Sequence, residues 1–303
     1  MSLPEAAAVG EPDARMTEAH DGVTLAYQVH GDPAAGVPLL MVSGLGQQLV
    51  AWHPALLAEL VDRGYAVAVF DHRDVGLSTH LDELRVDLGA VRDGRSAPPY
   101  AMAELARDAE AVLDAVGWTS AHVLGVSMGG MVAQQLAIAA PSRVRSLCSI
   151  MSTTGDRDVG RPRPGTFRVL VESPPPEREA AAQHALTVAR LIGSPGYPAP
   201  AEEVLARARV AFDRAFDPRG TGRQFAAILG SPDRTAALAG VRTPTLVVHG
   251  ADDPLVDVSG GRATAAAIAG AELLVLAGMG HDLPRPLWPR ILTELDALTR
   301  REG

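Results

Sequence analysis

The sequence predicts an α/β domain built on a mostly parallel central sheet, with a helical segment inserted late in the chain. Three observations predict it. Short apolar runs alternate with helix-length amphipathic stretches through the first half of the chain. Those runs are near-continuously apolar rather than alternating, as strands are when helices cover both faces of a parallel sheet. Between residues 153 and 234 the alternation gives way to helical stretches flanked by proline-rich pieces such as Arg161-Pro162-Arg163-Pro164-Gly165 and Ser173-Pro174-Pro175-Pro176.

The elements follow in order. Residues 1–16, MSLPEAAAVGEPDARM, lack the basic start and apolar run of a signal peptide and are expected to be a disordered extension. Strands at 38–43 and 66–71 bracket a helix at 52–63. A helix at 102–116 leads to a strand at 121–126, a helix at 127–140 and a strand at 144–151. The insertion carries helices at 177–191 and 201–215. The strand pattern then returns at 244–250, followed by a helix from about 261, a strand at 272–276 and a closing helix from 288 to about 300. The expected layout is a core of residues 17–152 and 235–303, with 153–234 as a helical cap or lid.

Composition narrows the class of function. The chain has 303 residues, 47% of them hydrophobic, enough for a substantial buried core. Its 27 basic residues, all arginine, face 36 acidic ones for a net charge of −9, so no nucleic-acid partner is expected. No apolar run approaches the length of a membrane span, and a cytoplasmic protein with no membrane partner is expected. The one cysteine, Cys148, lies in the apolar run 144–151 and reads as a small core residue.

The chemistry centres on Gly125-Val126-Ser127-Met128-Gly129, where the strand at 121–126 turns directly into a helix. In a G-x-S-x-G elbow the serine stands on a strained strand-to-helix turn above the sheet edge, and the glycines are there because a Cβ would clash. The helix N-terminus also points free N–H groups at any anion forming beside the hydroxyl. A serine hydroxyl is a poor nucleophile at neutral pH, so it needs a base, and a carboxylate to hold that base in the right tautomer. Both types occur after the insertion: an acidic turn follows a strand in His249-Gly250-Ala251-Asp252-Asp253-Pro254, and a histidine follows the next strand in Gly278-Met279-Gly280-His281-Asp282.

With Ser43-Gly44-Leu45-Gly46 and Asp71-His72-Arg73-Asp74-Val75-Gly76-Leu77-Ser78, these motifs give a sequence that resembles the α/β-hydrolase-fold enzymes from about residue 19 to 298. Within them it most resembles the aclacinomycin methylesterase group, small bacterial esterases that trim methyl esters from aromatic polyketides. The resemblance implies an α/β-hydrolase fold with the helical lid inserted after the sixth strand, and a serine esterase without metal or organic cofactor. It implies Ser127 as nucleophile, His281 as base and Asp253 as orienting acid, the family carboxylate standing three residues after the glycine of the His-Gly turn; Asp252 is the neighbouring alternative. It places the oxyanion hole at the main-chain N–H groups of Met128 and Leu45, with Gly44 the alternative to Leu45, because Ser43 replaces the family's usual histidine.

Gly44, Trp52 and His53 are candidates for the pocket, and a small-molecule ester is the expected partner. His72, Arg73 and Asp74 read as residues that tie down the turn after their strand. Asp71, His72 and Asp74 match no metal-ligand spacing. His122 and His249 read as packed, and Asp257 as a helix N-cap. Phe167, Val169, Leu170, Leu191, Phe212, Phe216 and Phe225 either close over an apolar substrate or form the lid's own core. An elbow serine argues against dehalogenases and epoxide hydrolases, which use aspartate there. Perhydrolase or haloperoxidase-like, thioesterase and lactonase chemistry use the same triad, and a binding module without catalysis is the remaining class.

Overall fold

The computed structural model describes residues 14–166 and 172–301. Eight strands form one sheet: β1 (Arg15–Glu18), β2 (Thr24–His30), β3 (Val37–Val42), β4 (Tyr65–Phe70), β5 (Ala121–Val126), β6 (Val144–Ile150), β7 (Thr245–Gly250) and β8 (Glu272–Leu276). Their order in the sheet is β1-β2-β4-β3-β5-β6-β7-β8, with the β1–β2 and β2–β4 pairs antiparallel and all other pairs parallel. The strand β1 already includes Arg15 and Met16, so the ordered domain begins before residue 17. Its register against β2, Arg15 opposite Tyr27, satisfies that edge with a short and mostly polar strand. The expected disorder of residues 1–13 lies outside the described residues.

The central strands β4 and β5 are buried along their whole length, which is why they read as unbroken apolar runs. Helices α3 (Met102–Val116) and α4 (Met128–Ala139) cover one face, packing Leu105, Val112, Leu113, Val132 and Leu136 against Leu40, Ala68 and Phe70. Helices α1 (Pro54–Asp62) and α10 (Trp288–Thr299) cover the other with Leu57, Leu60, Ile291 and Leu295. The helix α3 shows how local sequence sets the boundaries. Its apolar residues recur every three or four positions, Glu104 turns back to accept from the Ala101 N–H at 2.8 Å, and Gly117 ends it at φ 83°. A shorter helix, α2 (Leu88–Arg92), precedes it.

Between β6 and β7 the chain adds α5 (Arg178–Ile192), α6 (Ala201–Arg214), α7 (Pro218–Leu229) and α8 (Thr235–Leu238); α9 (Val258–Ala267) follows β7. The segment from α5 to α7 meets the turns at the C-terminal ends of the strands, Gln224 reaching Gly46 after β3 and Ile192 reaching His281 after β8, the edge where ligands of parallel α/β sheets bind.

Candidate active site

Ser127 sits between β5 and α4 at φ 54° and ψ −119°, in the left-handed half of the map that a side chain rarely adopts. The surroundings hold that strain in place: the Ser127 N–H donates to the Ile150 carbonyl at 2.9 Å, and the Ser152 hydroxyl donates to the Ser127 carbonyl at 2.8 Å. The flanking glycines are sterically required. A Cβ on Gly125 would stand 2.2 Å from the Gly129 carbonyl oxygen, and one on Gly129 would stand 2.1 Å from that of Val42.

The turns after β7 and β8 bring two partners to the same edge. The His281 ring lies with Nε2 at 2.9 Å from Ser127 Oγ and Nδ1 at 2.7 Å from Asp253 Oδ2. A carboxylate only accepts, so Nδ1 carries the proton and Nε2 presents its lone pair to the serine hydroxyl. The other oxygen of Asp253 accepts from the N–H groups of Leu255 and Val256 at 2.8 and 2.9 Å, and its side chain is wholly buried, so the acid is fixed in direction. Asp252 faces elsewhere, accepting from the Gly278 N–H at 2.8 Å, which keeps the histidine loop folded back. His249 is buried and donates to the Val256 carbonyl at 2.8 Å, with burial lowering its pKa. Asp257 caps α9 through the Ser259 N–H.

The turn after β3 faces Ser127 from the other side. The Gly44 N–H is already taken by the Gln47 side-chain oxygen at 3.2 Å. The N–H groups of Leu45 and Met128 donate to no acceptor among the described residues. Of the two candidates on this turn, geometry therefore favours Leu45 as the free donor.

The motif after β4 proves to be a fastening point with wider reach than its own turn. Asp71 accepts from the N–H groups of Leu49 and Leu77 and pairs with Arg214 of α6 at 2.6 Å. Asp74 accepts from the Tyr100 hydroxyl and from Arg223 of α7, both at 2.8 Å. Arg73 is paired with buried Asp108, and the buried His72 donates from Nε2 to the Ser43 carbonyl, desolvation pushing its pKa down to about 4. His122 is likewise buried, against Ser146.

Sequence reading missed the residues of the insertion that act on the site from outside. The Gln224 side chain, fully buried, accepts from the Gly46 N–H at 2.9 Å and donates to the Arg73 carbonyl at 2.8 Å. At the other side the His281 N–H donates to the Ile192 carbonyl at 2.7 Å, and the Gly280 N–H donates to Ser194 Oγ at 2.9 Å. The Ser194 hydroxyl itself donates to Asp282.

Ser127 and His281 open onto a cavity of about 620 Å³. Trp52 and His53 line it as expected; Gly44 does not. From the insertion the wall is Tyr197, Pro198, Pro200, Val204 and alanines of α6, rather than the large apolar residues singled out in the sequence. Phe212 and Phe216 stack on each other with centroids 4.7 Å apart, Phe225 is buried and Leu191 is exposed. Phe167, Val169 and Leu170 lie outside the described residues. Cys148 is buried within β6, and its thiol is pushed up to about 12.

A serine on a strained strand-to-helix turn, with a histidine and a buried acid behind it, fits the α/β-hydrolase arrangement, and residues 37–284 match the profile described as alpha/beta hydrolase fold. The chain belongs to the α/β-hydrolase family. It is 30% identical over 304 residues to rhodomycin D methylesterase DnrP of Streptomyces peucetius, covering 93% of this chain and 96% of the relative. It is 32% identical to a protein named as a putative carbamate hydrolase, RutD, of Variovorax paradoxus, over 77% of this chain and 79% of that one. Among solved structures, a hydrolase from Pseudomonas aeruginosa aligns with TM-score 0.68 and 27% identity, over 93% of this chain and 98% of its own. The chain is thus a hydrolase of this family with esterase relatives. Among the described residues, no helix is long and apolar enough to cross a membrane.

Proposed function

We propose that this chain is a carboxylic-ester hydrolase working through a serine acyl-enzyme, with Ser127 as nucleophile, His281 as base and Asp253 as orienting acid. The observation that carries the reading is the unbroken relay from Ser127 Oγ through His281 to Asp253, at 2.9 and 2.7 Å, on the floor of an apolar-walled cavity. Ser127 Oγ attacks the ester carbonyl while His281 Nε2 takes its proton. The oxyanion is held by the Leu45 and Met128 N–H groups, each worth about a hundred- to thousandfold in rate. His281 then protonates the departing alcohol, and water activated by the same ring releases the acid. No metal or organic cofactor takes part in these steps.

Residues 153–234 act as a lid over the cavity, whose volume suits a drug-sized molecule. Trp52, Val126, Met151 and Trp288 favour a bulky apolar group beside the ester, and the methylesterase relatives favour a methyl ester of a polyketide-like acid. A single buried cysteine suits the reducing cytoplasm.

The test is intact-protein mass after fluorophosphonate treatment of the wild type and Ser127→Ala, followed by turnover of methyl and aryl esters. One adduct on the wild type, none on the variant and about a millionfold loss of turnover are expected. Equal labelling or retained turnover in Ser127→Ala would remove the nucleophile assignment.

A further inference from the structure

The mouth of the cavity carries charge that ester hydrolysis does not use. Arg207 projects from α6 in the insertion, and Arg285 comes from the core loop before α10; both line the cavity. Arg207 is half-buried yet has no carboxylate within ion-pair distance among the described residues, although Glu203 lies one turn earlier on the same helix. Its neighbours on α6 are engaged: Arg209 pairs with Glu179 at 2.8 Å and Arg214 with Asp71 at 2.6 Å. Arg285 is exposed and lies over the Trp288 ring at 5.8 Å, which fixes the guanidinium plane but neutralises none of its charge. On the same cavity wall stands His53, edge-on to Trp288 at 5.2 Å, its Nδ1 accepting from the Ala55 N–H so that Nε2 carries the ring proton.

Both guanidiniums act on that ring: burial first, then Arg207, and also Arg285, lower the His53 pKa, while Glu203 opposes them. Two guanidiniums and one carboxylate thus act on the ring, in a protein whose net charge is −9. Two acids also stand on the cavity wall. Glu203 is exposed, and the carboxyl of Asp282 accepts from Ser194 and is raised in pKa by burial.

We propose that Arg207, Arg285 and His53 form a subsite for a carboxylate carried by the substrate at a distance from the ester under attack. The proposal rests on the ester-hydrolase reading for the position of the reacting group. The preferred substrate is then a half-ester, with one esterified acid at Ser127 and one free acid at the mouth. Guanidiniums arriving from the insertion and from the core also make the free acid a bridge between the two walls. Charge-assisted bonds from a guanidinium to a carboxylate are the strong class of hydrogen bond, and a half-desolvated mouth preserves their strength.

The experiment uses full-length Ser127→Ala, so that esters stay intact, titrated calorimetrically with the monomethyl and dimethyl esters of succinate, adipate, suberate and sebacate. At the best length the half-ester should bind at least about tenfold more tightly than the diester. Replacing both arginines (Arg207→Ala with Arg285→Ala) should abolish that advantage and leave the diester constant unchanged; circular dichroism checks folding. Half-esters that bind no better than diesters at every length, or an advantage that survives loss of both arginines, would overturn the subsite. Wild-type hydrolysis of the diesters is measured in parallel: its absence with the binding preference intact would sink the esterase reading and leave the subsite standing.

Discussion

Exchanging Asp253 for asparagine tests the direction of the relay, because the change alters proton positions and almost nothing else. The side chain accepts three hydrogen bonds: from the N–H of Leu255 at 2.8 Å, the N–H of Val256 at 2.9 Å, and His281 Nδ1 at 2.7 Å. Two of these can only donate, so the amide oxygen of asparagine must take their place and its NH2 must face the imidazole. Nδ1 then has to accept, which moves the ring proton to Nε2, 2.9 Å from Ser127 Oγ. A protonated Nε2 cannot remove the serine proton. The turn keeps both main-chain bonds, so the fold should survive while kcat/KM falls about ten-thousandfold, or about 5 kcal/mol of barrier.

Asp252→Asn is the matched control. Its bond from the Gly278 N–H can pass to the amide oxygen, and activity should stay within a few-fold. The assay is p-nitrophenyl acetate hydrolysis, with circular dichroism melting of each variant. A crippled Asp252→Asn beside an active Asp253→Asn would refute the relay as drawn.

Three further outcomes are expected. Gln224→Met removes the acceptor that holds the Gly46 N–H beside the Leu45 donor, so kcat should fall about tenfold with KM little changed; steady-state kinetics separating the two constants decide it. Gly129→Ala forces a Cβ into the Val42 carbonyl and should cost about 3 kcal/mol or more, whereas Gly222→Ala, with open space around it in α7, should stabilise by about 0.5–1 kcal/mol; thermal melting should separate the two. Acid should weaken the fold from about pH 6.5 downward: the unfolded chain protonates His72 near 6.5 but the native state only near 4, a difference of about 3 kcal/mol fully lost below pH 4. His122, also held at about 4, adds in the same sense, while Asp71 and Asp108, raised by burial, pull the other way. An unchanged urea midpoint between pH 7 and pH 4.5 would contradict this.

What the sequence made legible follows from where information is local. The strands β3 to β7 and the helices α3, α4 and α10 announce themselves because burial imposes apolar runs, and caps such as Gly117 mark the ends; the edge strand β8 is legible as a run of leucine and valine although Leu273 and Val275 are exposed. The edge strand β1 does not, being four residues of mixed polarity. Nor does α7, whose Gly220 and Gly222 depress helix propensity. Gly220 is explained by contact: a Cβ there would stand 2.0 Å from the Asp74 carbonyl oxygen. Ser127, Asp253 and His281 were legible because each sits in a motif directly after a strand. Gln224 was not, since its partner Gly46 is 178 residues away and neither residue lies in a motif that names the other.

That long-range contact changes what the insertion does for the site. A cap that merely covered a cavity would touch its walls, and its removal would alter substrate choice. Here Gln224 grips the turn that supplies the Leu45 N–H, Arg214 and Arg223 lock the turn after β4 through buried ion pairs, and Ile192 and Ser194 hold the loop that carries His281. These bonds reach the oxyanion turn and the base from opposite sides, and several are buried, where an unmade partner is costly. The serine elbow, by contrast, is held within the core, by Ile150 and Ser152 at the end of β6. The proposed nucleophile is therefore built by the sheet, while the proposed base and oxyanion donors are positioned jointly by sheet and insertion. Disturbing the seat of the inserted helices should lower kcat before it changes which substrates bind.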